Sequence, residues 1–232
     1  MTGNKNLNES YTIRFVLIAA VFSTTLITSN IIAVKIFEFG PFPLDAAVLL
    51  FPITYIIGDI LTEVYGYSRA RQIIWIGFFC NLIAVIAISI AGAIPAAEDV
   101  WLNQESWNNI LGLTPRIVAA SLIAYLAGEF VNSYVLAKMK IITEGRMLWA
   151  RTITSTIFGQ GLDTCIFIPL AFWGIFPTKV LALMILGQWL VKTAIEITAT
   201  PITYIVVGWL KHSEGVDVYD YETNFSPIRF RK

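Results

Sequence analysis

The sequence is short of charge: Lys, Arg, Asp and Glu make up 14% of its 232 residues, where a soluble domain carries about 25%. So few ionic groups cannot cover a chain that meets water over its whole surface. A hydrophobic content of 56% and a mean hydropathy of +0.70 point instead to hydrocarbon as the solvent. Histidine is nearly missing, with His212 alone, and cysteine stops at Cys80 and Cys165, each inside a long apolar run. There is no CxxC pair, no HExxH string and no Cys/His cluster. These absences leave little from which to build a metal site, a His-based triad or a disulfide framework. The thiols read as small buried hydrophobes, no nucleophile–base pair suggests an intramembrane enzyme, and no cofactor is expected. Sixteen basic residues balance sixteen acidic ones, so nothing invites direct contact with nucleic acid.

What the chain has in abundance is long apolar runs. A spanning helix needs about 20 mostly apolar residues, and six stretches qualify, at about 12–36, 44–66, 73–94, 114–138, 152–175 and 179–210. The first is too long for a signal-peptide core and reads as a retained span. The last requires tilt, a kink at Pro201 or an extension out of the membrane. Backbone amides in lipid must be paired within their own segment, which selects helix. The expected fold is therefore all-α: a single transmembrane domain over residues 1–232, a bundle of six transmembrane helices, with a short tail at 211–232.

Basic residues set the orientation. With both termini cytoplasmic, the inner segments hold Lys5, Arg14, Arg69, Arg71, Lys138, Lys140, Arg146, Arg151, Lys211, Arg229, Arg231 and Lys232, and the outer ones hold Lys35, Arg116 and Lys179. Twelve against three favours N-in/C-in. The largest outer loop, PAAEDVWLNQESWNNILGLT, carries three acids, no base and the interfacial residues Trp101 and Trp107.

Against this apolar background a few residues are out of place. An ionisable group at a helix centre costs about 2.5–3.5 kcal/mol on insertion scales. Yet Asp59 and Glu63 fall in the second span, Glu129 in the fourth, Asp163 in the fifth, and Lys192 and Glu196 in the sixth. Helical spacing puts Tyr55, Asp59, Thr62 and Glu63 on one face. The same holds for Tyr125, Glu129, Asn132 and Ser133; for Thr156, Gln160, Asp163 and Thr164; and for Gln188, Lys192 and Glu196. Thr24, Thr28 and Lys35 share a side of the first span, with Ser23 and Asn30 beside it. Each helix can turn an apolar back to lipid, so the stripes describe a shared inward-facing polar cavity. Single residues have blander roles: Asn81 as helix–helix glue, Lys192 with Glu196 as an i,i+4 ion pair, Asp59 and Glu63 paired with Arg69 or Arg71. Together, five acids against one lysine leave surplus negative charge, which asks for water, protons or a donor-rich ligand. A guanine-like edge suits such a cavity: a carboxylate accepts its adjacent N–H donors, while Gln160, Gln188 or Lys192 serves the carbonyl. Trp189, Phe158 and Tyr65 are candidates to stack on the ring. Other small polar heterocycles fit the same chemistry.

The string GDILTEVYGYSRAR at 58–71, with SNIIAVK at 29–35, GEFVNS at 128–133 and FGQGLDT at 158–164, closely resembles the queuosine precursor transporter family, also called the vitamin-uptake-transporter group. The likeness runs over roughly 12–210 and leaves the tail out. It implies a multi-pass carrier of the bacterial inner membrane that imports 7-deazaguanine bases, the cyano and aminomethyl precursors of the tRNA base queuosine. The family's motifs fall on Asn30, Lys35, Asp59, Thr62, Glu63, Glu129, Asn132, Gln160 and Asp163. In that setting Asp163 or Glu129 would accept the base's N–H donors, with Gln160 and Asn132 completing the edge. Asp59 and Glu63 would form a gate or proton site, Lys192 and Glu196 a switchable pair, and Gly159, Gly161, Pro169 and Pro201 points of bending. Two alternatives stay open: a substrate-binding subunit of an energy-coupling-factor importer, and a carrier of another purine or a vitamin. The partners expected are the small-molecule base and the lipid bilayer, and a homo-oligomer is compatible with all of this.

Overall fold

The computed structural model describes residues 12–97, 100–112 and 114–227. Lys5, Arg229, Arg231 and Lys232 of the charge census, and Glu98 and Asp99 of the acidic loop, lie outside them. The chain folds as a helical bundle: α1 (Ile13–Ile32), α2 (Phe51–Tyr65), α3 (Tyr67–Ala93), a short α4 (Gln104–Ile110), α5 (Thr114–Ile142), α6 (Leu148–Phe172) and α7 (Thr178–Glu214). By length and composition α1, α3, α5, α6 and α7 can each cross a membrane. They show lipid-type faces: Ile76, Phe79, Ile83, Ile86 and Ile90 along α3, and Leu186, Leu190 and Ile197 along α7, are exposed. The inside carries the acids and amides. Polar residues within and apolar residues without is the arrangement that hydrocarbon solvent selects.

The second expected span needs correction. Its apolar run from 44 to 66 is not one helix, because Ile36–Phe39 (β1) and Phe42–Asp45 (β2) form an antiparallel hairpin, followed by a 3-10 turn at Ala46–Leu49. Only the 15 residues of α2 follow, about 22 Å of helix against a hydrocarbon core of about 30 Å. Lys35, expected on the first helix, sits beyond its end, exposed, with its carbonyl accepting from the Ala46 amide at 2.8 Å. Irregular backbone at such depth is tolerated when protein buries it. Here Leu44 and Asp45 are buried, and Phe42 lies so close to Gly187 of α7 that a Cβ there would meet its ring.

Two apolar clusters hold the bundle. One is knit by Phe22, Leu26, Tyr55, Tyr65, Tyr67, Ile74 and Tyr125 from α1, α2, α3 and α5. The other joins Ala33 and Ala47 to Ile117, Phe167, Phe172, Leu181 and Met184. Where α5 crosses α6, Gly128 and Gly159 bring the backbones into contact: a Cβ on Gly128 would stand 2.9 Å from the Gly159 carbonyl oxygen and would also strike the Tyr55 hydroxyl. Small residues allow this approach.

The start of α1, the α2–α3 junction, the α5–α6 turn and the end of α7 gather at one end. There Thr12 and Tyr65 both donate to Glu214, at 2.7 Å each. Gly66, with φ 80°, separates α2 from α3, a backbone state that glycine adopts freely. The tail lies across this junction. Val218 donates its amide to the Val64 carbonyl, Asp220 accepts from the Tyr67 amide at 3.0 Å and so caps α3, and Arg71 donates to the carbonyls of Asn224 and Ser226. Arg116 marks the opposite end, donating to the carbonyls of Leu170 and Trp173.

Candidate functional site

The polar stripes face inward together, and their polar groups form a column through α2, α5, α6 and α7. Tyr55, Asp59, Thr62, Glu63, Tyr125, Glu129, Asn132, Ser133, Thr156, Gln160, Asp163, Thr164, Gln188, Lys192 and Glu196 are all buried. Three levels are distinct.

The first, nearest the hairpin, surrounds a cavity of about 10 Å³, lined by Asn30, Asp45, Ser121, Asp163, Gln188 and Lys192 with Phe51, Phe167 and Ala47. That is room for about one water. The hairpin carries Asp45 into the bundle, where it accepts a hydrogen bond from the Gln188 amide. Lys192 is paired with Asp163 at 3.1 Å, reaches the Thr164 hydroxyl at 3.4 Å, and lies 4.7 Å from the Phe51 ring centroid. Asn30 donates to Asn81 at 2.9 Å, which ties α1 to α3. Among the described residues, one oxygen of Asp45, one of Asp163 and the Gln188 carbonyl oxygen have no partner. The cavity therefore presents spare acceptors beside one ammonium, with two phenyl rings in its wall.

The second level holds Asp59 of α2, Glu129 of α5 and Glu196 of α7, within electrostatic reach of one another. Asn132 donates to Asp59 at 2.6 Å. Among the described residues the other oxygen of Asp59 and both oxygens of Glu129 and of Glu196 find no partner, nor does either amide atom of Gln160.

The third level, at the end where the tail packs, centres on Glu63. Arg151 of α6 stands 2.9 Å from its carboxylate, Lys211 of α7 2.7 Å and Lys140 of α5 3.7 Å. Lys140 and Lys211 also bind Asp217, at 2.6 and 2.9 Å. Burial pushes the Asp217 carboxyl up, but hydrogen bonds and charge from the two lysines outweigh it and hold the group below the usual aspartate range.

Several expectations change with these positions. Lys192 pairs with Asp163 and not with Glu196, although four residues separate the two on α7. Glu63 sits among cations, apart from the cavity, and Arg71 is occupied by the tail. Phe158 is exposed, Trp189 turns outward to donate to the Ile157 carbonyl, and Tyr65 bonds Glu214, so none of these rings flanks the cavity. Cys165 is exposed on α6 rather than buried. Asp45, Ser121, Phe51 and Phe167 do line the cavity and were missed. Asp45 left one signal, a carboxylate between Pro43 and the apolar string AAVLLFP.

The family model described as "Putative vitamin uptake transporter" matches residues 45–206. The chain belongs to the vitamin uptake transporter family, the queuosine precursor transporters. A "Probable queuosine precursor transporter" of Bacillus subtilis (strain 168) is 27% identical over 192 residues, covering 81% of this chain and 82% of that protein. The "Queuosine precursor transporter" of Escherichia coli (strain K12) is 27% identical over 123 residues, 53% of this chain and 52% of its own. A third relative, from Haemophilus influenzae, is 27% identical over 54% of this chain and 50% of its own. No solved structure matches. As a member of this family the chain is a multi-pass bacterial membrane transporter and not an enzyme. The family match begins at Asp45 and takes in Glu196, so it contains the cavity's acids and the second level; Asn30 on one side, and Lys211 and Asp217 on the other, fall outside it.

Proposed function

We propose that this transporter is a secondary carrier of the bacterial inner membrane importing 7-deazaguanine precursors of queuosine, with the cavity beside Asp163 as the base site. The observation that carries this reading is the cavity's chemistry: Asp163, Asp45 and Gln188 each keep a spare acceptor beside the Lys192 ammonium, with Phe51 and Phe167 in its wall. A 7-deazaguanine presents a ring N–H and an exocyclic amine next to a carbonyl oxygen. One carboxylate takes the two donors and the ammonium takes the carbonyl, while phenyl faces stack on the bicycle. The names borne by the Bacillus subtilis and Escherichia coli relatives support the same cargo. With the basic end cytoplasmic, as the charge census favours, Arg151, Lys140 and Lys211 tied to Glu63 close the inner side. At about 10 Å³ the cavity is too small for a bicyclic base, so loading requires the hairpin and α2 to move away from α7.

The test is uptake of labelled 7-cyano- and 7-aminomethyl-7-deazaguanine into cells lacking other routes. Removing a charge-assisted hydrogen bond costs about 1.5–3 kcal/mol, so Asp163→Asn should raise KM by roughly 10- to 150-fold. Wild-type kinetics in that variant would remove Asp163 from the site. Stronger competition by riboflavin than by guanine would change the cargo to a vitamin, and dependence of the purified chain on an added ATPase would end the secondary-carrier reading.

A further inference from the structure

Resting on that transport reading, we propose that Asp59, Glu129 and Glu196 form a shared proton site, separate from the base cavity, through which proton entry is coupled to uptake. The three carboxyl groups come from three helices and each is 0% exposed. Among the described residues, Asp59 Oδ1 alone of their six oxygens has a hydrogen-bond partner, the Asn132 amide at 2.6 Å. Among the described residues no cation is in contact with them: Lys192 is bound to Asp163, while Lys140, Arg151 and Lys211 are bound to Glu63. The charged neighbours that act on Asp59 and Glu129 from outside the trio are acids, Glu63 on α2 and Asp163 on α6, and Lys192 stands one turn from Glu196 on α7. Tyr55 adds an independent observation. Its hydroxyl is fully buried, has no partner, and lies within electrostatic reach of Asp59, Glu129 and Asp163.

Three carboxylates buried together without counter-charge are not sustainable as ions, and such groups neutralise. A carboxylic acid donates one hydrogen bond and still accepts, so protonation removes the uncompensated charge and gives each carboxyl a donor of its own. Among the described residues no group of three acids is arranged to hold a metal ion, whereas a proton needs no coordination shell. In the closed bundle the trio therefore carries protons. Opening toward the cytoplasm hydrates it and releases them, and opening outward reloads it. Glu63 is set apart from this role because three cations already engage its carboxylate. Substrate and proton then share the closed state: the bundle can shut and turn over when the base fills the cavity and protons neutralise the trio.

The experiment uses the full chain in proteoliposomes, with labelled 7-cyano-7-deazaguanine. Exchange of labelled for unlabelled base needs no gradient and reports transport itself. Accumulation under a pH gradient, acid outside, reports coupling. Each pH unit should sustain up to about tenfold accumulation per proton. Asp59→Asn, Glu129→Gln and Glu196→Gln should lose this accumulation, whatever rate of exchange they retain. Exchange by the wild type with no response to the pH gradient overturns the proton site and leaves the transport reading standing. A sodium gradient driving accumulation in place of the pH gradient also overturns it, as does full coupling in all three variants. Absence of exchange would instead defeat the transport reading. The gradient measurement on the wild type decides the matter even where a variant fails to fold.

Discussion

Replacing Glu63 by glutamine removes the buried anion to which Arg151, Lys140 and Lys211, on three different helices, are tied. Glu63 and Arg151 are 1% and 0% exposed, so water does not replace the lost contact. Deleting one partner of a buried pair costs about 3–5 kcal/mol. The lower end applies here, because Arg151 keeps the Arg146 carbonyl at 2.6 Å and the Thr143 hydroxyl at 3.1 Å, and the lysines keep Asp217. About 3 kcal/mol, at roughly 2–4 °C per kcal/mol for a chain of this size, lowers the melting temperature by some 6–12 °C. Purified protein in detergent, followed by thermal unfolding, measures it. Asp217→Asn serves as the comparison: its side chain is 44% exposed, and a partly solvated pair contributes at most about 1 kcal/mol. Adding Arg151→Met to Glu63→Gln should recover part of the loss, since the orphaned charge goes with its partner. Melting of Glu63→Gln within about 1 °C of wild type, or a double variant in which the two losses simply add, would refute the reasoning.

Gly128→Ala should destabilise by at least the roughly 1–3 kcal/mol of an overpacked core, because the new methyl meets backbone at Gly159 and the Tyr55 hydroxyl; thermal unfolding and uptake should fall together. Acid sensitivity follows from Asp217, whose carboxyl is held below its ordinary value by Lys140 and Lys211. A depressed carboxyl contributes its stability in full above the unfolded value of about 3.9 and loses it as pH falls through the folded value. Melting of the wild type should therefore decline in that acidic window, and Asp217→Asn should flatten that part of the decline. Asp220→Ala removes the side chain that caps the Tyr67 amide and should cost about 1 kcal/mol, read as loosening of the tail by limited proteolysis.

Much of the site was legible because its signal is local. An acid or amide inside an apolar run carries its burial cost with it, and 3.6-residue spacing says which neighbours share its face. Asp59, Glu129, Asn132, Gln160, Asp163, Gln188 and Glu196 were reached that way, and all lie within the bundle. Spacing cannot say which charge meets which. Lys192 has Glu196 one turn along its own helix and chooses Asp163 across the interface, because α6 brings that carboxylate to 3.1 Å. Hydropathy likewise cannot separate a buried hairpin from a helix, as both are short apolar runs. That ambiguity hid Asp45 and stretched the second span by the length of the 44–50 segment.

By itself the sequence determined the solvent, the helical class, the charged end and most of the acids and amides buried within the helices, each a consequence of composition and period along one segment. Tertiary structure alone decided that Glu63 is locked among three cations, that Lys192 belongs to Asp163, and that Asp59, Glu129 and Glu196 meet without a counter-ion. Those outcomes depend on distances between helices, and such distances are set by Gly128 packing on Gly159 and by the hairpin lodged against α7, contacts between residues far apart in the chain that no window of sequence contains.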